Sequence, residues 1–212
     1  MSSIDSLQPR SGRAALLMIE FVNEWLADDG KLRFLMADNT AALDSSLSAA
    51  WRVLHSARSS ALPVFHATLK FSPDYRELGT CDFGLRGAIR RGGRFKATDG
   101  GCQFHPDFTP ASGEFVIEGR SGASAFANSN LDGLMRANGI TRLFLAGYAT
   151  HVCVESTLRA AHDMGYEPVV IIDATAAFSA AQQDYFIEHV VHHFGHLISS
   201  DTFVNLENRK TG

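Results

Sequence analysis

Three residues of this chain stand where a strand would hand over to a turn, and their chemistries are complementary: a carboxylate, a cation and a thiol. Glu20 follows Leu17-Met18-Ile19 and opens Phe21-Val22-Asn23-Glu24-Trp25. A carboxylate directly after an apolar run sits at the rim of a sheet, partly desolvated, where its pKa rises. Taken alone, it is more ordinarily a helix cap or a solvated strand end. Cys153 falls in Gly147-Tyr148-Ala149-Thr150-His151-Val152-Cys153, at the expected first turn of a helix behind a glycine-led loop. There the positive end of the helix macrodipole favours thiolate, and free N–H groups of the first turn are able to hold an oxyanion. A lone cysteine is otherwise a small core residue. Arg120, in Glu118-Gly119-Arg120-Ser121-Gly122, lies beyond a further strand end. It either pairs with Glu20 and supports a thiolate or is a surface arginine.

The elements that must position these groups are legible as apolar runs. Residues 14–19, 63–66, 143–146 and 168–172 have the near-continuous apolar character of strands covered on both faces, and Phe115-Val116-Ile117 is a shorter fifth. Between them lie helical spacings. Leu43, Leu47, Ala50, Trp51, Leu54 and Ala57 mark a helix over 41–60, and Leu131, Leu134 and Met135 one that stops at Asn138-Gly139. A further helix spans 154–164 and ends at Gly165. Strand–helix alternation predicts an α/β fold, a three-layer α/β/α arrangement around a mostly parallel, Rossmann-like sheet, with 1–212 as one domain. Such sheets bind ligands beyond the carboxyl ends of their strands, which is where the three candidates stand. Residues 71–110, with Gly92-Gly93 and Gly100-Gly101, are expected to form long loops, a lid or an oligomer contact.

Bulk properties exclude several classes. With 45% hydrophobic and 20% charged residues, the chain has the balance of an ordinary globular domain. A net charge of −4 without a basic run argues against nucleic acid and anionic lipid as partners. No apolar stretch reaches membrane-spanning length, and the polar N-terminus lacks the apolar centre of a signal peptide. Three cysteines without a Cys-x-x-Cys spacing argue for a reducing compartment, so the expected location is cytoplasmic.

Taken together, the three strand ends resemble the isochorismatase-like cysteine hydrolases over about residues 14–179. The pattern includes an apolar strand ending in an acid with a nearby asparagine, here Ile19-Glu20 and Asn23. It continues with a basic residue before a Ser-Ala-Phe-like turn, here Arg120 and Ser124-Ala125-Phe126. Its most specific part is Gly-x-x-Thr-x-x-Cys-Val, matched from Gly147 to Val154, with Glu155-Ser156-Thr157 following and Asp173-Ala174 closing the next strand. The resemblance implies that Glu20 acts as general base, that Arg120 supports base and thiolate, and that Cys153 attacks a carbonyl carbon to give a thioester. It also implies a cis Tyr148–Ala149 bond, with the N–H groups of Ala149 and Cys153 as oxyanion hole, and a homo-oligomer, dimer or tetramer. Two residues depart from the pattern, whose commonest acid is aspartate and commonest cation lysine. A Glu20–Arg120 fork is expected to keep electrostatic support for the thiolate and to lower the Glu20 pKa, at the cost of any proton shuttling by the cation.

No cofactor is expected. The zinc-binding branch of the family uses an Asp-x-His…His cluster after the second strand, where this chain has His66-Ala67-Thr68 and no paired ligand. His189, His192, His193 and His196 have the spacing of one helix face, read here as a polar or interfacial surface rather than a metal site. Phe21, Trp25, Phe126, Tyr148 and His151 adjoin the catalytic candidates and form the expected wall around a small substrate, although aromatic residues are more commonly core. Cys81 and Cys102 are assigned no chemistry. Three functions follow. The leading one is cleavage of an amide, ureide or related C–N bond of a small molecule. A vinyl-ether hydrolase is a weaker match, since those relatives dispense with the cysteine. A catalytically weakened binding or scaffold protein is the alternative raised by the Glu/Arg pair. The enzyme readings expect Cys153 to alkylate at neutral pH faster than Cys81 and Cys102.

Overall fold

A computed structural model describes residues 12–211, so most of the polar N-terminal segment discussed above lies outside the described residues. Strand β1 (Arg13–Ile19) leads into the short helix α1 (Asn23–Leu26), then α2 (Thr40–Ser59), β2 (Val64–Ala67), α3 (Gly84–Arg91) and β3 (Phe115–Val116). The second half runs α4 (Leu131–Ala137), β4 (Ile140–Tyr148), α5 (Glu155–Asp163), β5 (Glu167–Ala176), α6 (Ala180–His189), α7 (Val191–Phe194), β6 (His196–Ile198) and α8 (Ser200–Thr211). The strands form one parallel sheet in the order β3-β2-β1-β4-β5-β6. The fold is α/β.

Each face of the sheet buries alternate side chains, as a pleated strand requires. Along β1, Leu16 and Met18 enter the core beneath α2 and α8. Ala15, Leu17 and Ile19 enter the opposite core, with Leu131 of α4, Leu158 of α5 and Phe186 of α6. A strand covered on both sides has no use for polar residues, which is why its sequence reads as an unbroken apolar run. On α2 the expected stripe is buried at Leu43, Ala50, Leu54 and Ala57, but Trp51 is 46% exposed and stacks on His55. Its position directly after Ala50 turns it off the stripe.

Strand order runs outward from β1 in one direction and from β4 in the other, so a crevice opens between their carboxyl ends. Ile19 pairs with Gly147 there. A Cβ at Gly147, whose φ is 136°, would collide with the Ile19 carbonyl oxygen, so only glycine lets β4 leave the sheet this close to β1.

The C-terminal region departs from expectation. The four histidines do not share a helix face, because α6 ends at His189, Val190 breaks the helix with φ −118°, and Gly195 is extended. His196 instead opens β6 and pairs with Val169. Gly195 is required at this point, because a Cβ would run into the Pro168 carbonyl. Asp173 receives hydrogen bonds from the Ser200 amide (2.7 Å) and hydroxyl (2.6 Å), fixing the start of α8. The region 71–110 is not pure loop, since it holds α3 and single 3-10 turns at Arg76–Leu78, Gly100–Cys102 and Pro106–Phe108. No helix among the described residues is long and apolar enough to cross a membrane.

At the β2–β3 edge, His66 is fully buried and shares its Nε2 with Glu114 (2.8 Å), which also pairs with Arg58 (2.8 Å). Burial opposes ionisation of Glu114, but hydrogen bonds from His66, Arg58 and the Ala111 amide outweigh it and hold the carboxyl well below its usual range. A depressed carboxyl contributes stability above its unfolded pKa and loses it as pH falls through the folded value. Glu114→Gln is therefore expected to lower the unfolding free energy by about 2 kcal/mol at pH 7. In urea titrations, the gap to the parent protein should close as pH is lowered below about 4.5.

Candidate active site

The crevice assembles the three candidates from separate parts of the chain. Glu20 is the first residue after β1 and takes a left-handed φ of 66°, while its amide still bonds the Ala67 carbonyl (3.0 Å). Left-handed backbone at a non-glycine residue is strained and is characteristic of functional positions. Its side chain is completely buried. Oε1 accepts from Arg120 Nη1 (2.5 Å) and from the Leu69 amide (3.1 Å), whereas Oε2 is buried without a partner. One carboxylate oxygen is thus held by the structure and the other is left for chemistry.

Arg120 is as buried as its partner, and its guanidinium is saturated by the chain around it. Nη1 also donates to the Ala67 carbonyl (3.0 Å), Nε to those of Gly122 (3.2 Å) and Ser124 (3.3 Å), and Nη2 to that of Ala123 (2.6 Å). Its positive charge also favours the ionised form of Cys153. A guanidinium has five N–H donors in a fixed fork, and an ammonium has only three. The Ser124-Ala125-Phe126 turn therefore serves as part of a cradle for this cation. The expected bidentate fork to Glu20 does not form: a single nitrogen meets a single oxygen, because Nη2 is turned to Ala123 and away from the carboxylate.

Cys153 lies in a π-helical turn, Thr150–Val154, that precedes α5. Such turns recur at functional sites because the wider ring moves one residue out of the α-helical path. Thr157, one turn further on, donates to the Cys153 carbonyl (2.7 Å) and accepts from the Ala125 amide (2.9 Å). This buried hydroxyl ties the arginine cradle to the cysteine turn. The Tyr148–Ala149 peptide is cis, and the Ala149 carbonyl accepts from the Val152 amide (3.0 Å).

Electrostatics correct two expectations. Burial raises the Glu20 carboxyl above its usual range, with the Arg120 charge and the Leu69 amide only partly offsetting it. Burial likewise pushes the Cys153 thiol up to about 11, against the lowering influence of Arg120, and the Glu20 charge adds to the rise. At this depth desolvation outweighs both the guanidinium and the helix terminus. Burial thus disfavours the charged forms of both groups and works against a preformed thiolate.

Glu20 and Cys153 open into one cavity of about 350 Å³, the small end of the range for ligand sites. Trp25 lines it, as expected, but three of the other predicted aromatics do not. Phe21 packs on Phe108 and Tyr148, Tyr148 reaches Ser46 of α2 with its hydroxyl (3.0 Å), and Phe126 stacks on Tyr166. Phe21 and Tyr148 are core, and Phe126 is half-buried against it. His151 borders the site indirectly, edge-on to Phe178, which is itself a lining residue. The rest of the wall comes from positions without a motif: Leu32 and Leu35, Leu69, and Ala88, Ile89 and Arg94 of α3 and its exit. The high glycine content of 71–110 masked the amphipathic Leu85-x-x-Ala88-Ile89 spacing that was the available signal. Among the described residues, no cluster of three or more His, Cys, Asp or Glu side chains is placed to hold a metal ion.

A parallel α/β sheet with this crevice is the architecture of isochorismatase-type proteins, and the chain belongs to the isochorismatase family, whose domain model matches residues 14–202. Among named relatives, the ureidoacrylate amidohydrolase RutB of Pseudomonas syringae pv. syringae (strain B728a) is 29% identical over 214 residues, covering 94% of this chain and 85% of that protein. The RutB of Variovorax paradoxus (strain S110) is 37% identical over 122 residues, a match that spans 57% of this chain and 48% of that protein. Among solved structures, N-carbamoylsarcosine amidase from Thermoplasma acidophilum superposes with a TM-score of 0.70 at 28% identity, covering 89% of this chain and 97% of that one.

Thr157→Val keeps the shape of the side chain but removes both of its hydrogen bonds. It is expected to destabilise the fold by about 1–3 kcal/mol, because a buried amide and carbonyl lose their partner. If the hydroxyl aligns the two halves of the site, kcat should fall at least tenfold at temperatures where circular dichroism shows the variant fully folded.

Proposed function

We propose that this chain hydrolyses the C–N bond of a small amide or ureide through a Cys153 thioester, with Glu20 as the proton carrier. The chain is a hydrolase of non-peptide C–N bonds, as its amidohydrolase relatives are. The observation that carries the finer reading is the unpartnered Oε2 of Glu20, buried in the same cavity as the Cys153 thiol.

The Cys153 sulfur attacks the carbonyl carbon as its proton passes to the Glu20 carboxylate, and the carbonyl oxygen becomes an oxyanion. The backbone N–H groups of Ala149 and Cys153 receive that oxyanion. Collapse breaks the C–N bond, the protonated Glu20 gives its proton to the departing amine, and a thioester remains. Water then attacks the thioester while Glu20 again takes a proton. The C–S bond breaks, the proton returns to the sulfur, and the acid product leaves. A raised carboxyl pKa suits a group that must both accept and donate near neutrality. Arg120 keeps its proton throughout and acts by charge and position alone.

The anionic carboxylate is the working form, and burial raises its pKa, so log kcat/KM should fall on the acid side with a midpoint above 4.5. Glu20→Gln and Cys153→Ala should each reduce ammonia release from carbamoyl substrates by about 10³-fold or more. A Cys153→Ala protein that keeps more than a tenth of parental turnover would overturn the nucleophile assignment. Arg120→Lys should retain folding but lose about tenfold or more in kcat, since an ammonium with three donors cannot reach the four carbonyls and Glu20 at once.

A further inference from the structure

Among the described residues, Arg94 is the one Lys or Arg side chain that lines the catalytic cavity, and neither the proton transfers nor the core makes use of it. Its Nε is buried with no hydrogen-bond partner, and its guanidinium enters none of the ion pairs found among the described residues. The surrounding wall is apolar, with Leu32, Leu35, Ile89, Phe95 and Phe178. An unpaired guanidinium donor among such residues is costly unless a ligand completes it.

The backbone that carries Arg94 is fixed from three sides. The Arg94 amide donates to the Ile89 carbonyl (3.1 Å), the Tyr75 hydroxyl to the Arg94 carbonyl (2.8 Å), and the Phe95 amide to Glu24 Oε1 (3.1 Å). Glu24 is itself buried, and its carboxylate lies so close to Gly101 that a Cβ there would collide with it. Glu24 is the nearby carboxylate whose charge reaches Arg94, yet burial pushes its pKa up, its Oε1 accepts from the Phe95 amide, and its Oε2 lies against Gly101. Outward, the Arg94 guanidinium lies over the exposed Phe34 ring, 5.7 Å from its centroid, which supports the cation without neutralising it.

We propose that Arg94 is the specificity-determining residue of this site and binds a carboxylate carried by the substrate. The substrates are then short acids bearing a carbamoyl or amide group, with the anion at Arg94 and the scissile carbonyl at Cys153. The inference rests on the reading of this cavity as the catalytic site. The small apolar volume between the two ends admits only a short aliphatic spacer.

The test uses the full chain and two matched probe pairs: N-carbamoylglycine with N-carbamoylglycinamide, and N-carbamoyl-β-alanine with its primary amide. The members of each pair differ in charge but hardly in size. For at least one pair, the parent protein should prefer the acid about tenfold or more in kcat/KM, and Arg94→Gln should abolish that preference by raising KM for the acid. Arg94→Gln should cost the amide clearly less than the acid, and Arg94→Lys should restore part of the preference. Calorimetric titration of Cys153→Ser protein, with and without Arg94→Gln, reads the same selectivity without turnover. Acid-selective binding that depends on Arg94 but comes with no ammonia release supports this inference and defeats the hydrolytic reading. Ammonia release with the same acid-to-amide ratio in parent and Arg94→Gln keeps the hydrolytic reading and overturns this one. Absence of acid-selective binding in both pairs overturns it as well.

Discussion

A charged pair buried completely at the switch point of a parallel sheet sets the terms for everything around it. Glu20 and Arg120 give up their hydration at the centre of the fold, and desolvation of two ions costs more than one short contact between them returns. The balance is made up by the backbone. Four carbonyls, those of Ala67, Gly122, Ala123 and Ser124, converge on one guanidinium, and a Leu69 amide supports the carboxylate. The end of β2, the turn after β3 and the exit of β1 are therefore held in one arrangement by a single cation. Stability and catalytic geometry share the same hydrogen bonds.

Pairing a longer acid with a planar cation solves a problem that a bidentate fork would create. Two parallel N–H···O bonds would occupy both oxygens of Glu20 and hold it ionised. Here one oxygen is anchored and the other is left bare in a low-dielectric cavity. That asymmetry accounts for the raised carboxyl pKa despite a cation at 2.5 Å. It also accounts for a resting thiol, since the neighbouring negative charge and burial both disfavour thiolate on Cys153.

The wall of the cavity is built by another part of the chain and obeys different constraints. Asn23 and Glu24, just beyond the catalytic acid, reach across to the 93–103 segment through the Gly100 carbonyl and the Phe95 amide. The turn that delivers Glu20 thus also delivers Phe95 and Arg94. The five residues from Glu20 to Glu24 thus link the two parts of the cavity, although the residues that Asn23 and Glu24 contact lie some seventy positions away.

Much was determined by the sequence itself. Strands buried on both faces must be continuously apolar, so β1, β2, β4 and β5 were legible, and a thiol, an acid and a cation at their carboxyl ends were already candidates for one site. The two-residue β3 was also legible, but β6 escaped, because its three residues carry too little pattern and the histidine spacing around them imitates a helix until Val190 breaks it. Tertiary structure alone decided which aromatics face the cavity, since Phe21, Tyr148 and Trp25 differ in surroundings and not in type. It also decided the sign of the pKa shifts. Sequence shows which charges lie near a strand end, whereas burial, the largest influence on Glu20 and Cys153, belongs only to the folded chain.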